Sequence, residues 1–243
     1  MRARTGALCA ALWLAGGSAQ AITVNITRFP FPPTSVSVQS DDASFTGPAG
    51  QFEGLILDAG TSLAMRMGAR AQVVLAPPTS FAAYCAELTQ QLAFGTPYEY
   101  TRLEGAVHFG AAKADDLSRL FSAAPVFVID GSTSAAFQSA LWEILYEPGS
   151  TYDLTSGEFI GEPLNAADLA GAAAFAQINT VLTNLSSFAP QYHIEALTNG
   201  QVQDLIIGTA PVAVPEPQTW TLLLLGLAGL GWIARRKRRL SGT

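Results

Sequence analysis

The segment Ser134-Ala-Ala-Phe-Gln-Ser-Ala-Leu-Trp-Glu-Ile-Leu-Tyr146 constrains the fold more than any other, because its apolar spacing fits one periodicity. At about 100° per residue, Phe137, Ala140, Leu141, Ile144 and Leu145 share a helical face, while Ser139 and Glu143 point away from it. Ser132, Thr133 and Ser134 are the candidate N-caps, and Pro148-Gly149 stops the helix about a turn after Tyr146. Gln138 falls on the rim of the apolar arc, near Leu145 and Trp142. A carboxamide there is desolvated and must find a hydrogen-bond partner on whatever packs against this helix.

Strand signals surround that helix. Residues 22–40 alternate in short pieces around Val36 and Val38, interrupted by Phe29-Pro30-Phe31-Pro32-Pro33. Further strands are expected over Phe52 to Leu57, at Val73-Val74-Leu75 and over Tyr98 to Leu103. The stretch Phe81 to Leu88 fits a strand end or a short helix equally well. A helical pattern carrying Leu117, Leu120 and Phe121 is expected to end at Pro125. Residues 149–161 read as a turn or short hairpin, and 165–188 as the longest helix. Asn199-Gly200 between Tyr192–Leu197 and Val202–Ile207 predicts a hairpin with a type I′ turn. The fold class is α+β: β-rich flanks around a helical insertion, followed by one C-terminal transmembrane helix.

The two ends of the chain are organised differently from the middle. Arg2 and Arg4 precede an apolar run from Ala7 to Ala15, and Ala19-Gln20-Ala21 supplies a small-x-small cleavage site. Residues 1–21 are therefore expected to be a signal peptide, residues 22–210 the exported domain and residues 211–243 a sorting segment. Cleavage would remove Cys9 and leave Cys85 as the single thiol of an exported chain. An inert buried thiol, an intermolecular disulfide and a reactive sulfur are all compatible with that count. Between residues 22 and 217, six basic side chains stand against 19 acidic ones, a formal charge of −13. That balance excludes nucleic acid as a partner class.

Tyr84-Cys85, followed downstream by Gln138-Ser139-Ala140-Leu141-Trp142, resembles the bacterial thioester domains of the TQxA type. The resemblance covers roughly residues 79–188. It implies a bond between the Cys85 sulfur and the Gln138 side-chain carbon, with Tyr84, Phe137 and Trp142 as surroundings that keep water away. It implies attachment to an amine- or hydroxyl-bearing target outside the cell. Such bond formation is single-use, so the chain is not expected to be an enzyme and no cofactor is expected. The reading from another class is a passive matrix or binding protein, in which Cys85 and Gln138 are packing residues. His108 and His193 are the sole histidines, which argues against a metal site and leaves a Cys85–His nucleophile as the enzymatic alternative.

Val214-Pro215-Glu216-Pro217 precedes an apolar run that reaches Ala234, and Arg235, Arg236, Lys237, Arg238 and Arg239 follow as a membrane stop. The 17 residues between Pro217 and Arg235 sit at the short end of a spanning length. The layout resembles the PEP-CTERM sorting signal of Gram-negative bacteria. That resemblance implies an exosortase-type sorting protease as partner, a transient inner-membrane anchor, and delivery to the cell surface or its extracellular polymer.

Overall fold

The computed structural model describes residues 19–57, 63–65, 72–74, 78–211 and 227. The chain divides into two units, Met1–Ala210 and Pro211–Thr243. Most of the expected signal peptide, and the whole of the sorting motif and basic cluster, lie outside the described residues. Among the described residues no helix is long and apolar enough to cross a membrane. The expected spanning run falls outside them except for Leu227.

Strand β1 (Gln20–Arg28) alternates Ile22, Val24 and Ile26, all buried, with residues left half or fully exposed. A strand with that pattern must bury one face. It does so in a closed barrel. Along the chain follow β2 (Thr34–Gln39), β3 (Ser44–Ala49), β4 (Phe52–Ile56), β5 (Leu63–Met65), β6 (Gln72–Val74), β7 (Thr79–Cys85) and β8 (Pro97–Glu104). The helices α1 (Gly105–His108), α2 (Ala111–Phe127) and α3 (Gly131–Tyr146) come next, then β9 (Ile160–Pro163), α4 (Leu169–Thr183), β10 (His193–Thr198) and β11 (Leu205–Thr209). The barrel order is β1-β4-β7-β11-β10-β8, with every pairing antiparallel. Its interior is filled by Ile22, Val24, Phe52, Tyr100, Leu197 and Leu205 among others. Strands β8 and β10 are direct neighbours, so residues 105–192 form one excursion from the barrel.

A second core lies where that excursion packs on the barrel's outer surface. It joins Tyr84 to Leu117, Leu120, Phe137, Leu141, Ile144 and Ile178. A separate sheet, in the order β3-β2-β9, closes one side of it through Val36 and Val38. Helix α3 runs through the middle. Every residue from Thr133 to Ile144 is buried, including Ser139 and Glu143, which the one-faced periodicity turns outward. The pattern fails here because α3 is enclosed on all sides, so its polar residues must be satisfied internally. Ser139 does this by donating to Ala135 O at 3.1 Å. The N-cap is Asp130 rather than one of the serines or threonine: its Oδ1 accepts from Thr133 N at 2.8 Å, and Thr133 Oγ1 accepts from Asp130 N at 3.0 Å.

Other boundaries shift for local reasons. Helix α2 continues two residues past Pro125, because proline removes one bond and the turn beyond it is closed by Val128 N donating to Ala124 O at 2.9 Å. Helix α4, with 15 residues, is shorter at both ends than the expected 165–188 and shorter than α2 and α3, starting after the Asp168 cap and giving way to a 3-10 turn at Leu185–Ser187. The segment from 149 to 161 forms the expected turn but no paired strands of its own: Ser156 N donates to Asp153 O at 3.0 Å and Gly161 N to Leu154 O at 2.9 Å. It buries Tyr152, Leu154 and Phe159, and delivers β9 to β2. The β10–β11 hairpin forms with Leu197 opposite Leu205, but through the longer loop 199–204 instead of a two-residue turn. Asn199 Oδ1 accepts from Gln201 N at 2.7 Å and Val202 N at 3.2 Å, and Gly200 is not among the glycines with positive φ.

Glu143 has no exposed surface. One carboxylate oxygen accepts from Asp153 N at 2.7 Å, and the other has no partner among the described residues. Burial raises its pKa to about 7, with Glu147 and Asp153 adding to the effect. The folded chain therefore holds a proton that the unfolded chain releases in the ordinary carboxylate range, so stability is lost as pH rises towards and through about 7. Glu87 and Asp204, also raised by burial, act in the same direction. Urea denaturation is expected to give a lower midpoint at pH 8 than at pH 5.5. Glu143→Gln, which keeps the acceptor for Asp153, should shrink that difference by about 1–3 kcal/mol.

Candidate functional site

The site begins at the end of β7. Ala83 faces the barrel interior, and Tyr84 points to the outer core, its ring 5.9 Å from Phe121 and 5.0 Å from Phe137. Cys85 sits half-buried at the rim and packs against both cores. Strand β11 covers one edge of β7 there: Leu205 lies opposite Cys85, and Ala86 N donates to Asp204 O at 2.8 Å. Neighbouring residues of a strand turn their backbone groups to opposite edges, so the N–H and C=O of Cys85 face away from β11. Strand β4 would cover that edge, but its pairing stops with Phe52 opposite Ala83.

Gln138 takes the vacant place. Cys85 N donates to Gln138 Oε1 at 2.8 Å, and Gln138 Nε2 donates to Cys85 O at 2.9 Å. The carboxamide thus mimics one residue of a missing strand. Gln138 lies in the middle of the 16-residue α3, fully buried rather than on a rim or in the first turn. One turn before it, Ser134 Oγ accepts from Gln51 N at 2.7 Å. Gly50, with φ of +139°, makes room for this approach, because a Cβ there would lie 2.9 Å from the serine oxygen. Gln51 in turn donates to Tyr84 Oη at 3.3 Å. Ser134, Gln138 and Trp142 recur every four residues and form one stripe along α3.

Cys85 and Trp142 line a cavity of about 480 Å³, together with Glu87, Gln90 and Gln203 and an apolar wall that includes Phe45. The Trp142 ring lies 5.5 Å from Phe45, and its buried Nε1 has no partner among the described residues. Tyr84 and Phe137 stack behind Cys85 in the outer core, so of the three expected surroundings Trp142 alone lines the cavity. Burial pushes the Cys85 thiol up to about 12, and the Glu87 carboxylate adds to the rise. Burial likewise holds the Tyr84 phenol far above its ordinary range. Glu87, Gln51 and Ser134 escaped the sequence reading. The signal for Ser134 was its spacing of four from Gln138, and for Glu87 its spacing of two from Cys85.

His108 lies near the Glu87 side of the site through Asp204, and His193 sits on the barrel wall. His108 Nε2 is 4.0 Å from Asp204 Oδ2, and His193 Nε2 is 3.2 Å from Glu104. Glu104, His193 and Glu195 bring their ligand atoms within 4.8 Å of one another. Arg102 already grips both oxygens of Glu195, at 2.7 and 2.6 Å, which makes this cluster an ion-pair network on the barrel wall.

Residues 213–239 match the PEP-CTERM protein-sorting motif. The motif implies export, recognition by an exosortase, a transient membrane anchor and extracellular placement. No curated protein and no solved structure matches the chain.

Removing the Gln138 carboxamide strands two buried backbone groups of Cys85. Gln138→Leu is expected to lower unfolding free energy by about 2–4 kcal/mol. Ser139→Ala, which deletes a bond made within the helix, should cost less than about 1 kcal/mol in the same urea titrations.

Proposed function

We propose that the exported domain forms an internal thioester between Cys85 and Gln138, and that this bond attaches the protein covalently to a nucleophile outside the cell. The observation that carries the reading is the two-point hydrogen bonding of the Gln138 carboxamide to the Cys85 backbone. It keeps the electrophilic carbon beside the residue whose sulfur would attack it. The same contact supplies polarisation, since Cys85 N–H already donates to the oxygen on which negative charge would develop.

In the forming step the Cys85 sulfur bonds to the Gln138 side-chain carbon, the carbon–nitrogen bond breaks, and the thiol proton leaves on nitrogen as ammonia. Attack on the carbon ends the amide conjugation, and the lone pair so freed on Nε2 takes that proton. In the second step an external nucleophile takes the acyl group and Cys85 regains its proton. The enclosure made by the outer core limits water at the acyl carbon. This is one bond per molecule, without turnover. The sorting motif supports release of the domain from the inner membrane to the cell surface or extracellular polymer, where such a bond would act.

The passive matrix reading is favoured by a different observation. Both carboxamide atoms are already satisfied, and burial with Glu87 keeps the thiol protonated, a state that does not attack amides unaided. Intact mass separates the two. The secreted wild-type domain is expected to weigh one ammonia less than its encoded sequence, and its thiol should resist alkylation until methylamine is added. Full mass with an alkylated thiol would sink the thioester. Cys85→Ala should restore the ammonia mass, and Gln138→Ala should leave a thiol that titrates.

Sorting has its own test. In a host carrying the matching exosortase, the chain should lose its tail and appear in the outer envelope or medium. Replacing Pro215 and Pro217 by alanine should retain it in the inner membrane. Unchanged release of that variant would assign the release to other proteolysis.

A further inference from the structure

The cavity at Cys85 is electrically one-sided. Among the described residues that line it, Glu87 carries the only charge. Glu87 stands two residues beyond Cys85, and its carboxylate is close enough to raise the thiol's pKa. Its own position is held by the chain around it: Asp204 N lies 3.5 Å from Glu87 Oε2, and Gln203 Nε2 donates to Glu87 O at 2.6 Å. The titratable groups facing it are Asp204 and His108, which themselves approach to 4.0 Å. The rest of the wall is mostly uncharged and apolar, with the rings of Phe29 and Phe94 5.3 Å apart and Phe94 partly exposed.

We infer that Glu87 is the specificity-determining residue of this site, which selects an alkylammonium group on an apolar stem over neutral hydroxyls and anionic polymers. The inference rests on the thioester reading for its chemistry, but not for its electrostatics. A carboxylate at the end of an apolar, aromatic-lined cavity attracts an ammonium head while the wall takes the methylene chain. An anion meets repulsion from the same carboxylate. A sugar hydroxyl gains no ionic contact there.

Glu87 also has a place in the proton balance. An alkylammonium becomes nucleophilic only after losing a proton, and the carboxylate next to it accepts that proton. The free amine then forms the new carbon–nitrogen bond at the Gln138 acyl carbon, and the carbon–sulfur bond breaks. The second nitrogen proton goes to the departing sulfur, leaving a secondary amide and the Cys85 thiol. The proton held by Glu87 passes to solvent.

The test has two arms. In the first, wild type and Glu87→Gln, each checked for the ammonia deficit by intact mass, are treated with cadaverine and with hydroxylamine, which is uncharged at neutral pH. The expected result is a fall of at least tenfold in the ratio of cadaverine to hydroxylamine adduct rates in Glu87→Gln, with Glu87→Asp retaining most of the preference. An unchanged ratio overturns the assignment. The second arm needs no thioester. The free thiol of Gln138→Ala is expected to react at least tenfold faster with a trimethylammonium-bearing methanethiosulfonate than with a sulfonate-bearing one, and the added Glu87→Gln change should collapse that ratio. Equal rates in Gln138→Ala overturn the assignment, whereas absence of the ammonia deficit in wild type is a failure of the thioester reading alone.

Discussion

Two hydrogen bonds between the Gln138 side chain and the Cys85 backbone organise the molecule. Without them the rim of β7, beyond the point where β4 stops, would leave a buried N–H and C=O without partners. With them a helix from the excursion is pinned to the barrel by an interaction that looks, from the strand's side, like continued sheet. The anchoring is reinforced by Ser134 accepting from Gln51, at the residue that enters β4. Barrel, helix and cavity therefore share one junction, and Cys85 is the residue that touches both cores.

This arrangement asks two things of the same carboxamide. As a structural group it must stay bonded at both ends. As the acyl donor of the proposed thioester it would surrender its nitrogen while keeping its oxygen on the Cys85 N–H. These demands are compatible in sequence, because the oxygen's partner persists through the reaction and only the nitrogen's partner is lost. In the proposed thioester the protonated thiol would form the bond slowly and give it up slowly, since a sulfur with a high pKa is also a reluctant leaving group. The enclosure that raises the pKa also limits water.

Enclosure has a cost at the other end of α3. Glu143 is buried there with one oxygen satisfied by Asp153, and the helix can remain packed on every side only by holding that carboxyl close to neutrality. The strongly acidic exported domain is thus tuned by a few desolvated carboxylates, among them Glu143 in the core, Glu87 at the cavity and the Asp204 that faces it. The PEP-CTERM motif at residues 213–239 implies export of such a domain and its placement outside the cell.

Local chemistry made several elements legible from the sequence: the alternation within residues 22–40 around Val36 and Val38, the span of α3, the presence of strands on both sides of Asn199-Gly200, and the sorting tail. Cys85 and Gln138 were singled out by cysteine count and motif, and they do lie in contact. Closure of the barrel was not legible, because β1 pairs with β8 and β8 with β10 across long separations that no local period records. Burial of Ser139 and Glu143 was missed for a related reason, since periodicity reports one apolar face and cannot see that a helix is covered on all of them. Glu87 and Ser134 looked like ordinary polar residues. Only the tertiary structure, by ending the pairing of β4 two positions short of Cys85 and laying α3 over the gap, decided which of the chain's polar groups would meet Cys85.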